Sequence, residues 1–338
     1  MSNQKNNTLE LIKLLSSYMV VFIHVIFPGK MGSAIDSLAR FAVPLFFLIS
    51  GFYSYGINGA KIKKRIRNIL TLIIFSTLFY TIFNTLILLT DGNTTGIISY
   101  FSNYTNASFF VDFLIFNIPI SALHLWYLFA MLYVYIIFYL ITISRVNEKI
   151  IFIIASALLL LHILLGEFLS VFGIIIPIKI VRNFALMGFP FFSIGLLVKK
   201  YEDKIHNLPN YLIFIFAILG IFESVISKYF FGKNELYIGS LLILFAAICI
   251  FIKFSNIQYP SFLISLGGCS TYIYIFHIAI STVIKRIYLL LGINIDSYIL
   301  LKISHPIIVC IVSTVFAYCI TKIVEQIHKA KITKLQKT

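Results

Sequence analysis

The 338-residue chain is 60% hydrophobic and only 12% charged, with a formal net charge of +15 and a mean hydropathy of +0.99. A soluble domain of this length could not bury so much apolar side chain, so the composition excludes a soluble globular protein and indicates an integral membrane protein. The positive charge does not point to nucleic acid, because the basic residues sit in short stretches between apolar runs, where they orient the chain in the bilayer.

The expected architecture is all-α and polytopic, one membrane-embedded domain over 1–338. Ten transmembrane helices are expected at about 9–27, 41–57, 68–90, 122–144, 150–166, 180–198, 210–227, 236–252, 261–284 and 303–325. An even number places both termini on one side. With the N-terminus inside, 18 of the 27 basic residues fall in cytoplasmic segments, which favours cytoplasmic termini by the positive-inside rule.

The first helix carries ionisable groups in an apolar run: Glu10, Lys13, Ser17 and His24. Lys13 and His24 are eleven residues apart, which is about three helical turns and roughly 16 Å of rise, so they share nearly one face at different depths. Charges in lipid are costly and face a protein interior or a cavity. The run has no small-residue cleavage site after it and reads as a retained span rather than a signal peptide.

In the second helix Pro44 removes a backbone donor, and Ser50-Gly51 allows close approach of a neighbouring backbone or a ligand. The cluster Lys61, Lys63, Lys64, Arg65 and Arg67 then leads into the third span. Two readings of it stay open: a positive-inside anchor, or a cytoplasmic site for a multiply charged anion such as a phosphate compound. The longest outer connection, about 91–121, contains Phe109–Phe116, which is too short to span and fits an interfacial or re-entrant segment. The four cysteines form no C-x-x-C pair, so neither a disulfide framework nor zinc is expected, and no histidine spacing suggests a metal.

In order, the chain shows a basic residue and a histidine eleven apart in helix one, then Pro44-x-Phe-Phe-x-x-Ser50-Gly51-Phe, then the basic cluster. His124-Leu-Trp126-Tyr127, Gly188-Phe-Pro190-Phe-Phe-x-x-Gly195 and Tyr272-Ile-Tyr-Ile-Phe-His277 follow. Over essentially its whole length the sequence resembles the membrane acyltransferase-3 family, which includes the related membrane domain of the serine racemases of glycopeptide resistance. The resemblance implies transfer of an acyl group, usually acetyl, from cytoplasmic acyl-CoA to a glycan or lipid-linked acceptor. It also implies residence in a bacterial cytoplasmic membrane, with no metal cofactor.

The family's histidine falls on His24, as general base or transient acyl carrier. Its first-helix arginine falls on Lys13 and its basic pair on Lys64 and Arg67, with Arg65 between them. Lysine at 13 and 64 keeps the charge and loses the bidentate fork. The span from Lys13 to His24 is of the order of the arm joining the phosphates of CoA to its thioester. Glu10, Arg40, Ser50, His124, Arg182 (beside Asn183) and His277 are further candidates for the cavity or the acceptor. His24 is expected where water is scarce, whereas His162, Glu167, Glu223, His305 and Glu325 read as interfacial or packing residues. The rival class is a transporter of a small molecule such as serine, and a lower one a sensor without turnover. A basic phosphate-binding rim discriminates, since a neutral amino-acid carrier has no use for it.

Overall fold

The structure is a computed structural model and describes residues 6–119, 121–231 and 238–335. Lys5 and Lys337, counted above among the cytoplasmic cations, lie outside them, as does the expected start of the eighth helix at 236. The described residues are all-helical. The elements run α1 (Asn7–His24), α2 (Gly29–Ala39), α3 (Ala42–Phe52), α4 (Gly59–Thr90), α5 (Thr94–Ser102), α6 (Ala107–Phe116), α7 (Trp126–Ile143), α8 (Glu148–Ile163) and α9 (Leu169–Val171). They continue with α10 (Ile178–Val181), α11 (Phe189–Lys200), α12 (Glu202–His206), α13 (Tyr211–Phe231), α14 (Ile238–Lys253), α15 (Ser261–Gly267), α16 (Ser270–Leu290) and α17 (Ile299–Leu335).

Among the described residues, seven helical stretches are long and apolar enough to cross a membrane: Gly29–Phe52, Gly59–Thr90, Leu123–Ile143, Glu148–Val171, Tyr211–Phe230, Ser270–Leu290 and Ile299–Ile327. The other three expected crossings correspond to α1, α11 and α14. Helices α11 and α14 are short, at 12 and 16 residues. Helix α1 has 18 residues but carries Asn7, Glu10, Lys13 and His24, which lower its hydropathy.

The boundaries differ from expectation for local reasons. The second span begins at Gly29 and breaks at Arg40–Phe41, which puts Pro44 in the first turn of α3, where a missing N–H costs nothing. The third begins at Gly59, capped by Asn58, whose side chain accepts from the Lys61 amide at 3.1 Å. The basic cluster is therefore helical rather than a loop. The sixth is interrupted at Arg182-Asn183: the Asn183 side chain accepts from the Ala185 and Leu186 amides at 2.9 and 3.0 Å and starts a π-helical turn, Phe184–Gly188. The ninth is broken at Gly268-Cys269 into α15 and α16.

The chain divides into two compact units, one of residues 1–42, 204–229 and 239–338, the other of 43–203 and 230–238. In the first, α16 packs on α17, and α1 lies against α2, α15 and α16. Leu14, Val21 and Val25 of α1 share a buried cluster with Cys269, Ile273, Val309, Cys310 and Ala317. The start of α1 is pinned by Asn6, which caps the Leu9 amide at 3.0 Å and donates to the Phe251 carbonyl at 2.8 Å.

In the second unit, α4 packs on α7 and α11 on α8. Helices α3 and α11 cross at Gly51 and Gly195: a Cβ on Gly51 would lie 1.9 Å from the Phe192 carbonyl oxygen, and one on Gly195 would lie 2.0 Å from that of Leu48. Such contact requires the missing side chains. At the end of α11, Lys200 pairs with Glu148, and that hydrogen bond raises the lysine pKa above its ordinary value.

Candidate active site on the first helix

Helix α1 carries two polar stations. At the first, the Lys13 ammonium pairs with both carboxylate oxygens of Glu10, at 3.0 and 2.9 Å, and the Glu10 carboxylate is largely buried. Each group is the other's counter-charge in apolar surroundings, where an uncompensated charge would be costly. Ser17, on the same stripe, is fully buried and donates to the Leu14 carbonyl at 2.7 Å.

At the second station, His24 is the last residue of α1 and is not covered by the rest of the protein. The helix stops here because Pro28 and Gly29, at φ +63°, turn the chain into α2. The imidazole sits on the wall of a cavity of about 780 Å³, formed by the 24–29 turn, the end of α16 with its 292–295 connection, and the start of α17. That volume suits a small organic ligand. Lys285, Asn294, Lys302 and His305 line it too.

His277 of α16 is fully buried, and its ring centroid lies 5.3 Å from that of His24. Its Nδ1 is 2.7 Å from the Tyr274 carbonyl and 3.2 Å from that of Ile273. Carbonyls only accept, so Nδ1 carries a proton. Two histidines that the sequence separates by 253 positions thus meet. His305, read from sequence as packing, is 5% exposed, its Nε2 3.3 Å from the Ser281 hydroxyl. Its Nδ1 is buried without a hydrogen-bond partner among the described residues. Nothing in its apolar sequence neighbourhood marked it; only the turn joining α16 to α17 brings it to the cavity.

The remaining expected residues are placed as follows. Arg40 and Lys228 both bind Asp36, at 2.8 and 3.1 Å, in a largely buried cluster of which the sequence reading named only Arg40. In the second unit, Arg65 turns its guanidinium back on the end of α3. Its guanidinium donates to the Ser54 hydroxyl at 2.8 Å and to the Tyr53 and Ser50 carbonyls at 2.6 and 3.3 Å, closing the end of α3. Lys61, Lys64 and Arg67 are exposed along the first turns of α4. Ser50 donates to the Phe46 carbonyl at 2.9 Å. His124 packs edge-on against Tyr80, centroids 4.9 Å apart. Arg182 lies over the Trp126 ring at 5.7 Å, and the Asn183 side chain caps the Ala185 amide.

Of the residues expected to be packing, His162 bonds the Val181 carbonyl at 3.0 Å, Glu167 accepts from the Ile238 amide at 3.1 Å, and Glu325 pairs with Lys322 at 3.1 Å. Glu223 accepts from the Ser227 hydroxyl at 2.6 Å. Among the described residues no group of three or more His, Cys, Asp or Glu could hold a metal ion.

None of the curated proteins and none of the solved structures compared matches the chain. A family described as an acyltransferase domain matches residues 6–322. That match names acyl transfer and lends no support to a transporter. The chain therefore belongs to the acyltransferase-3 family, with the matched domain covering nearly all of it.

Proposed function

We propose that the protein moves an acyl group, acetyl in the simplest case, from cytoplasmic acyl-CoA to a hydroxyl or amino group of a cell-envelope glycan, free or lipid-linked. It does so as a ten-crossing protein of a bacterial cytoplasmic membrane with both termini inside. Family membership supports the reaction class. The observation that carries the assignment is His24 on the wall of a cavity of about 780 Å³, with the His277 ring against it.

His24 is the general base. Its neutral ring takes the proton from the acceptor hydroxyl, the oxygen attacks the thioester carbonyl, the C–S bond breaks, and the CoA thiolate leaves and takes that proton back from the imidazolium. The products are an ester and CoA thiol. His277 touches no substrate in this scheme; it is a positioning residue that fixes the His24 ring.

The donor's phosphates are assigned to Lys61, Lys64 and Arg67. Of the three, Lys61 stands in the first turn of α4, where a cation opposes the helix dipole at about 0.3–1 kcal/mol, and no acidic residue offsets it there. An arrangement that costs stability fits a binding role better than an anchoring one. Lys13, held by Glu10, is assigned to the donor side of α1. The assay is acetyl transfer followed by mass spectrometry, with acetyl-CoA binding measured on the same purified variants. His24→Gln should lower transfer by about 10²-fold or more and leave acetyl-CoA affinity within about twofold. Near-normal transfer would make His24 structural and move the base elsewhere.

A further inference from the structure

Helix α6 is built the opposite way round from a surface helix of a soluble protein. Its inward face carries Asp112, which pairs with Lys179 at 2.9 Å, and Phe113, whose ring packs edge-on against Phe129 of α7 with centroids 5.4 Å apart. Phe116 lies on the same face, with the Lys179 ammonium 5.3 Å from its ring centroid. The opposite face is Phe110, Val111, Leu114 and Ile115, each between 47 and 60% exposed. The one charged residue of the helix is turned in, and the exposed stripe is apolar. Water does not favour such a stripe, whereas hydrocarbon does.

The place of α6 along α4 points the same way. Between Asn68 and Asp91, α4 holds no charged residue, and its run 69–89 rises about 31 Å, close to the thickness of a bilayer's hydrocarbon core. The chain turns at Gly92 (φ +64°), and α5 packs back on α4, so that the Tyr104 hydroxyl meets that of Thr81 at 3.1 Å. Thr81 stands about 12 Å short of Leu89 along the helix. Beyond α6, the Ser121 carbonyl accepts from the Asn84 side chain at 2.8 Å, and His124 packs on Tyr80. The segments on both sides of α6 are therefore tied to α4 within its apolar run. Irregular backbone at such a level has to be covered by protein. After α6, Asn117, Pro119 and Ser121 are buried, and the Asn117 side chain accepts from the Phe184 amide at 2.8 Å.

We propose that α6 is embedded in the leaflet that surrounds the C-terminal end of α4, and that Phe110, Val111, Leu114 and Ile115 lie against lipid acyl chains. Ten residues are too few to span, and Lys179 supplies the counter-charge that makes Asp112 tolerable there. The proposal requires only that α4 crosses the bilayer, and it is independent of the transferase reading.

The test uses full-length protein in vesicles of phosphatidylethanolamine and phosphatidylglycerol, with Cys319 replaced by Ser and the three buried cysteines left in place. A nitroxide is attached at Phe110→Cys, at Leu114→Cys or, as reference, at Leu89→Cys at the end of α4. Its relaxation is measured with oxygen, which concentrates in lipid, and with a water-soluble nickel chelate. The oxygen-to-chelate ratio at 110 and 114 should exceed that at 89 severalfold. A ratio at or below the reference overturns the proposal and puts the face in water. Exclusion of both reagents, with dipolar broadening between labels, also overturns it and assigns the face to a second copy of the chain. Neither donor nor acceptor enters the measurement, so a failure of the transferase reading leaves its outcome unchanged.

Discussion

At the scale of single residues, charge alone is a poor guide to role. Arg65, Lys64 and Arg67 lie within four positions of one another on α4, yet only Arg65 reaches back to the end of α3, where it bonds Ser54, Tyr53 and Ser50. Arg65→Ala removes charge-assisted hydrogen bonds to a helix end and should cost about 1–3 kcal/mol of stability, read as a lower melting temperature in detergent. The double substitution Lys64→Ala with Arg67→Ala should leave the melting temperature in place and weaken acetyl-CoA binding. If the double variant bound acetyl-CoA normally, the phosphates would have to be held elsewhere. The sequence could not separate these three residues, because the difference lies in which of them faces α3, and the helix was expected to start nine residues later than it does. The pairing of His24 with His277 was equally out of reach, since it depends on how α1 and α16 pack. His24 could be singled out from sequence, because ionisable residues in an apolar run face a protein interior or a cavity, and its role as base is the proposal made above.

At the scale of elements, the helices were legible and their interruptions were not. Apolar length announces a helix, but a break depends on one or two side chains that turn back on their own backbone, as Asn183 does at the Ala185 and Leu186 amides. The crossing of α3 and α11 was half visible: Gly51 and Gly195 stand out in the sequence, while the carbonyls they admit do not. A methyl group at either position would meet a backbone oxygen, which no rotamer change relieves. Gly51→Ala and Gly195→Ala should each destabilise the protein by about 1–3 kcal/mol, seen as earlier thermal unfolding and more aggregation on size exclusion. Unchanged unfolding of both variants would mean that the two helices stand farther apart than described.

At the scale of the whole chain, the distribution of basic residues makes a topological statement that chemistry can check. With the three buried native cysteines left in place and the exposed Cys319 replaced by Ser, Lys61→Cys should be protected from an impermeant thiol reagent in intact cells. Thr95→Cys, in the connection after α4, should react. Labelling of position 61 would reverse the orientation and undo the placement of the donor site. The same distribution explains why length and composition sufficed for the class of protein and did not suffice for the number of crossings. Helices α1, α11 and α14 are short or polar enough that burial against other helices, and not hydropathy, must decide whether they span.

The exposure of His24 has a consequence for selectivity between nucleophiles. On the proposed assignment of His24 as the base, its place on the wall of an open cavity makes it as accessible to water as to a sugar hydroxyl, and water is present at far higher concentration. Dryness therefore cannot be what keeps the thioester from being hydrolysed. On the same assignment the choice must come from orientation: an acceptor held in one pose in the cavity brings its hydroxyl to the imidazole with an effective molarity that bulk water does not match. On this account the idle enzyme is a slow thioesterase, and the ratio of CoA released to acyl groups delivered measures how well its acceptor fits.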